Sequence, residues 1–166
     1  MQENTKDLDM GILTEQIREF VNKQKLGFIA TVCPDGTPNL SPKGTTIVWD
    51  DEHIVFADIH SPGTVNNLLA NPSIEINVVD IFIRKGYRFK GVATVFSEGP
   101  LFEDVITFFR AAGSNHVIKN IVSVKVDRML EVTSPAYDTG ISEDEVKQRW
   151  ISYWSDALQT SLNGAF

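Results

Sequence analysis

The sequence predicts a mainly β (α+β) fold, a six-stranded antiparallel β-barrel, closed or partly closed, with short peripheral helices. Three observations point there. Six short runs are rich in strand formers, the alternation inside several of them has the period of two of a half-buried strand, and only turns or short helices separate them. That order favours a small antiparallel barrel over a βαβ sheet.

The elements follow in chain order. Leu13 to Gln24 places Ile17, Phe20 and Val21 at helical spacing among charges, an amphipathic helix. The period then changes to two: Leu26, Phe28, Ala30 and Val32 alternate, and Pro34-Asp35-Gly36 supplies a turn before a second extended run. That run carries Thr45, Thr46, Ile47, Val48 and Trp49, turns at Asp50-Asp51 and returns as Ile54 to Ala57. Three consecutive antiparallel strands are expected here. Ser61-Pro62-Gly63-Thr64 opens a helix from Thr64 to Ala70, which Asn71-Pro72 closes because a residue before proline is driven out of the helical region. Ile74, Ile76 and Val78 make the fourth strand, and Tyr87 through Phe89, Gly91, Ala93 and Val95 the fifth. A helix from Leu101 to Ala112 and a last long strand, Ile121 to Val132, complete the barrel. A final amphipathic helix, about Ser142 to Leu158, carries Trp150, Tyr153 and Trp154, which read as core or interface anchors.

Composition narrows the functional classes. The chain has 166 residues, 42% of them hydrophobic, enough for one sizeable core and a single domain over 1–166. No run approaches the length of a membrane span, and Met1 to Asp9 is polar with no signal-peptide core, so the expected location is cytoplasmic. The single cysteine, Cys33, and the scattered His53, His60 and His116 offer no zinc-ligand spacing and read as structural or incidental. A net charge of −7 opposes a nucleic-acid surface, which needs a basic face to displace counterions. A small anion held by a local basic cluster remains open.

Three segments suit such a ligand. At Ser61 to Thr64, serine is a preferred N-cap and proline a preferred first helical residue, so the amides of Gly63 and Thr64 lack helical carbonyl partners and a phosphate fits there. The bland alternative is an ordinary capped helix. Arg84, Lys85, Arg88 and Lys90 form a basic cluster in an acidic chain; on a strand Arg84, Arg88 and Lys90 share one face, either an anion clamp or the charge that protects an edge strand. Asn39-Leu40-Ser41-Pro42-Lys43-Gly44-Thr45-Thr46 is a polar start to an apolar strand, either a pocket wall bearing an ammonium and hydroxyl donors or a solvated strand end.

In this order the segments resemble the pyridoxamine 5'-phosphate oxidase-like FMN-binding split-barrel proteins, over about residues 13–132. The pieces that carry the resemblance are Leu26 to Thr31, Pro38 to Gly44, Ile54 to Asp58, Ser61 to Leu68 with Asn71-Pro72, and Tyr87 to Gly91. The resemblance implies a homodimer with FMN at the subunit interface. Ser41, Lys43, Gly44, Thr45, Thr46, Ala57 and Asp58 would lie along the flavin, and Ser61, Gly63 and Thr64 would take the phosphate with help from Lys43 or Arg88. Two departures matter. Gly63-Thr64 stands where the true oxidases have an Arg-Lys pair, and the chain ends Leu162-Asn163-Gly164-Ala165-Phe166 without their arginine-containing, proline-terminated segment. Pyridoxamine phosphate oxidation is therefore not expected, and the helix at 142–158 reads as specific to a subgroup. The implied function is a flavin-dependent oxidoreductase acting on a small-molecule substrate with an electron donor, without any side chain singled out as acid or base. A module that holds FMN, a deazaflavin or haem without turnover is the alternative, and an empty barrel used for association is a third.

Overall fold

The structure, a computed structural model, describes residues 11–163. Helix α1 (Glu15–Gln24) leads into β1 (Gly27–Val32), β2 (Pro38–Lys43), β3 (Ile47–Val48) and β4 (His53–Asp58). Then come α2 (Pro62–Ala70), β5 (Ser73–Asp80), β6 (Lys85–Phe96), α3 (Pro100–Ala111), β7 (Asn120–Thr133), a 3-10 turn at Pro135–Thr139 and α4 (Glu143–Asn163). The strands form one sheet in the order β2-β1-β5-β6-β7-β4-β3, with every neighbouring pair antiparallel. There are seven strands where six were expected.

The extra strand corrects the expected three-strand meander. The run after Pro34-Asp35-Gly36 is two strands: β2 pairs with β1, whereas β3 pairs with β4 at the opposite edge of the sheet. Only Gly44, Thr45 and Thr46 separate them, so the two edges lie within about 14 Å of each other along the chain. A flat seven-stranded sheet would hold its edges about 29 Å apart. The sheet must therefore curl until its edges nearly meet, which is the split barrel. Lys25 O accepts from the Thr46 amide at 3.1 Å and Asn22 Oδ1 from the Val48 amide at 2.8 Å, so the end of α1 bridges the seam.

The concave face buries Ile29, Ile54, Phe56, Ile74, Ile76, Val78, Phe89, Val122 and Val124, joined by Ile17 and Val21 of α1 and Leu68 of α2. A second cluster forms where Val105 and Phe109 of α3 cover Ile47, Val55, Ala57 and Ile121. On β1 the faces are reversed from expectation: Ile29 and Thr31 point inward, while Leu26 and Phe28 are exposed. Apolar residues on both faces of β1 leave the alternation without a preferred side. At the bulge between Lys90 and Gly91 a Cβ would meet Lys125 O at 2.0 Å, so only glycine lets β7 approach there. α4 runs five residues beyond the expected end, and only its first two turns rest on the barrel, where Val146 is buried and Trp150 half-buried.

Candidate functional site

β4 ends at Asp58, whose side chain follows Ile54 and Phe56 to the concave face, at the mouth that α2 covers. Asp58 is 3% exposed. Its Oδ1 accepts from the Ser61 amide and its Oδ2 from Asn120 Nδ2, both at 2.8 Å, and its carbonyl accepts from the Lys119 amide. A buried carboxylate is tolerated because its oxygens are engaged in this way. Ser61 sits at the N-cap position, yet its side chain makes no capping bond. The capping arrangement is inverted: the Ser61 amide donates to Asp58 instead.

Across the mouth, Lys43 is 5% exposed and its ammonium donates to Ser41 Oγ. Burial lowers the Lys43 pKa from its ordinary value, and the charge of Asp58 acts in the opposite direction. The Thr46 hydroxyl donates to Lys43 O at 3.0 Å, and Thr45 Oγ1 accepts from the Ala57 amide at 2.9 Å. Hence Ser41, Lys43, Thr45, Thr46, Ala57, Asp58 and Ser61 form one connected neighbourhood around the seam, with Gly44 inside the same crossing.

Gly63 and Thr64 follow at the start of α2. The Val65 amide is bonded to Ser61 O at 3.3 Å, while the amides of Gly63 and Thr64 precede the first helical acceptor. The Thr64 side chain is buried, and the space where a Gly63 Cβ would stand is open to 4 Å. A ligand can approach the Gly63 backbone without displacing protein atoms.

Arg88 is not brought to this neighbourhood within one chain. Arg88 is level with Asn77, Phe28 and Pro42, three strands or about 14 Å from β2, and it projects from the outer face, whereas Ser41 and Lys43 share the inner face with Ile29. It pairs with Glu75 at 3.1 Å, as does Lys90. β6 is an interior strand, so these charges do not guard an edge. Arg84 also leaves the expected face: it adopts φ 56° in the turn before β6 and stacks over the Trp150 ring at 4.2 Å. Lys85 bonds Glu143 at 2.8 Å.

Other residues of the site carried no sequence signal. Asn120 and Asn67 are polar residues whose positions become meaningful only through Asp58 and through Thr31, whose Oγ1 accepts from Asn67 Nδ2 at 3.0 Å. A cleft of about 380 Å³ opens on the outer side of the seam, where Gly44, Thr45 and Ile47 face Phe108, Phe109 and His116. Among the described residues no three His, Cys, Asp or Glu side chains converge as metal ligands, and no helix is long and apolar enough to cross a membrane.

A curled antiparallel sheet with a polar seam beside a helix start defines a split-barrel protein. The chain belongs to the pyridoxamine 5'-phosphate oxidase family, whose model matches residues 13–133. It is similar to HupZ of Group A Streptococcus, at 32% identity and a TM-score of 0.68, over 74% of this chain and 96% of that one. An FMN-binding protein from Syntrophomonas wolfei shares the fold at 20% identity and a TM-score of 0.63, over 74% of this chain and 87% of that one. HutZ, the heme storage protein from Vibrio cholerae, shares it at 22% identity and a TM-score of 0.57, over 71% and 93%. No curated protein matches the chain.

Proposed function

We propose that the protein binds FMN and acts as a flavin-dependent oxidoreductase on a small organic substrate, as a homodimer whose subunits share each flavin. The observation that carries the reading is the open backbone of Gly63 at the start of α2, beside the buried Lys43–Asp58 neighbourhood. The donors fit a flavin mononucleotide in kind. Unpaired first-turn amides suit a phosphate, and the polar seam from Ser41 to Thr46 suits the heteroatom edge of a ring. FMN, when bound, supplies hydride acceptance from a reduced donor and electron transfer to an organic acceptor or dioxygen. The protein's part is orientation: the Thr45–Ala57 bond and the Asp58–Ser61 bond hold seam and helix start in fixed relation.

The dimer is supported by the outer face of the sheet. A row of facing residues runs Phe28, Asn77, Arg88, Leu130 across four strands, and Phe28 and Leu130 are exposed. Asn77 Oδ1 is buried without a hydrogen-bond partner among the described residues. Exposed Phe28 and Leu130 on this face suit contact with a second copy. In such a dimer Arg88, which projects from the outer face of its own sheet, away from Ser41 and Lys43, serves the flavin of the partner.

Comparative titration tests the site. FMN is expected to bind more tightly than riboflavin, and equal affinities would mean that no phosphate subsite exists. Turnover with a nicotinamide donor separates an enzyme from a carrier. A second reading, haem binding without turnover, draws support from His116 beside the aromatic wall of the cleft and from the fold shared with HutZ. The absorption spectrum of the purified protein distinguishes flavin from haem.

A further inference from the structure

α4 lies wholly outside the segment that matches the family, and relatives such as HupZ are covered almost entirely while about a quarter of this chain is left over. Its base is fastened: Val146 is buried, Glu143 bonds Lys85 and Trp150 lies under Arg84. From Ile151 onward the helix leaves the barrel. Ile151, Tyr153, Trp154 and Leu158 are exposed, Tyr153 by 55% and Leu158 by 63%.

Two facts make this free half unusual. Val146, Trp150, Tyr153, Trp154, Ala157 and Leu158 form one stripe at helical spacing, of which the barrel covers only the beginning. The part beyond Trp150 is about 13 residues long, a length at which an isolated helix is marginal in water. Something else must cover the stripe. The polar side of α4 carries Glu143, Asp144, Glu145 and Asp156 against Lys147 and Arg149, so it lacks the cationic face of a membrane-surface helix. It is, however, complementary to itself. Arg149 and Asp156 are seven residues apart on the same flank of the stripe, and an antiparallel copy places each Arg149 opposite the other copy's Asp156. The same alignment brings Lys147 near the Trp154 ring of the second helix.

We propose that α4 pairs antiparallel with α4 of a second copy of this chain, about a two-fold axis near Ser152, with Trp154 and Tyr153 in the contact. The pairing is isologous, so one contact is made twice. It needs no flavin, and it is independent of the outer sheet face.

Spin labels on the full-length protein, without FMN and with Cys33→Ser removing the native thiol, test the geometry. Labels at exposed Ser152→Cys, on the side of α4 away from the stripe, should report backbones about 14 Å apart between copies, and labels at Gln159→Cys about 24 Å, from the helix rise, the Cα radius and a normal interaxial distance. Equal separations at the two positions would mean parallel pairing, and long separations at both would mean that α4 docks elsewhere; either overturns the proposal. Arg149→Asp should abolish the short distance at residue 152, and the double variant R149D/D156R should restore it. Loss without restoration removes the Arg149–Asp156 contact and with it the antiparallel register. Positions 149, 152, 156 and 159 are solvent-exposed and Cys33→Ser keeps a small acceptor for Asn67, so circular dichroism is expected to show the fold unchanged.

Discussion

The chain carries its cations in two very different settings. Lys43 stands alone in sequence, is almost fully buried, and shares the barrel mouth with one carboxylate. Arg84, Lys85, Arg88 and Lys90 lie together in sequence on the surface, and each is already occupied: by the Trp150 ring, by Glu143, and twice by Glu75. The dense cluster attracts the eye in the sequence, yet solvent screens it and its partners neutralise it. A single desolvated ammonium exerts the stronger field, because fewer water dipoles oppose it. On the proposed site, burial beside open backbone amides marks the anion, and of the cluster only Arg88 takes part, from the partner subunit.

That contrast is open to direct attack. The largest effect is expected for Asp58→Ala, which strands the Ser61 amide and Asn120 and removes the negative charge facing Lys43; urea unfolding should show a loss of about 3 kcal/mol or more. A loss below 1 kcal/mol would make the mouth no more demanding than the surface. Lys43→Ala should weaken FMN by roughly ten-fold or more, the worth of one charge-assisted hydrogen bond of about 1.5–3 kcal/mol, as read by flavin fluorescence titration. An unchanged affinity removes Lys43 from the site.

A pH series isolates the burial of Lys43. Its folded pKa lies below the unfolded value, so as pH rises from the former towards 10.5 the unfolded chain holds the proton that the folded chain has released, and stability increases. Below the folded pKa the cost of the buried charge is present in full. Wild type should therefore gain on Lys43→Met through that alkaline window, and parallel curves for the two proteins would show that burial does not disturb the ammonium. The smallest effect belongs to the surface: Glu75→Gln, which deprives Arg88 and Lys90 of their shared partner, should cost less than about 1 kcal/mol in thermal or urea unfolding.

Much of the scaffold was legible in the residues. Ile74, Ile76 and Val78 face the core as their alternation requires, and Pro62 and Asn71-Pro72 bound α2. Reading failed where a local pattern had two equal solutions. β1 is apolar on both faces, so the alternation of Leu26, Phe28, Ala30 and Val32 does not mark the core side, which Ile29 occupies. The polar run from Pro38 to Thr46 looked like the beginning of one strand, whereas it is a strand and a crossing between sheet edges.

What the sequence determined by itself was local: which runs extend, how the core faces alternate in β5 and β6, and that the Ser61-Pro62-Gly63-Thr64 run opens α2. These follow from backbone sterics and periodicity within a few residues. What only the tertiary structure decided was non-local. Closure of the sheet set Lys43 opposite Asp58, gave Asp58 the Ser61 amide and Asn120 as donors, and left Arg88 on the outer face of the sheet. Such pairings join residues separated by up to 62 positions, and they depend on strand order and curl, which no short-range propensity encodes.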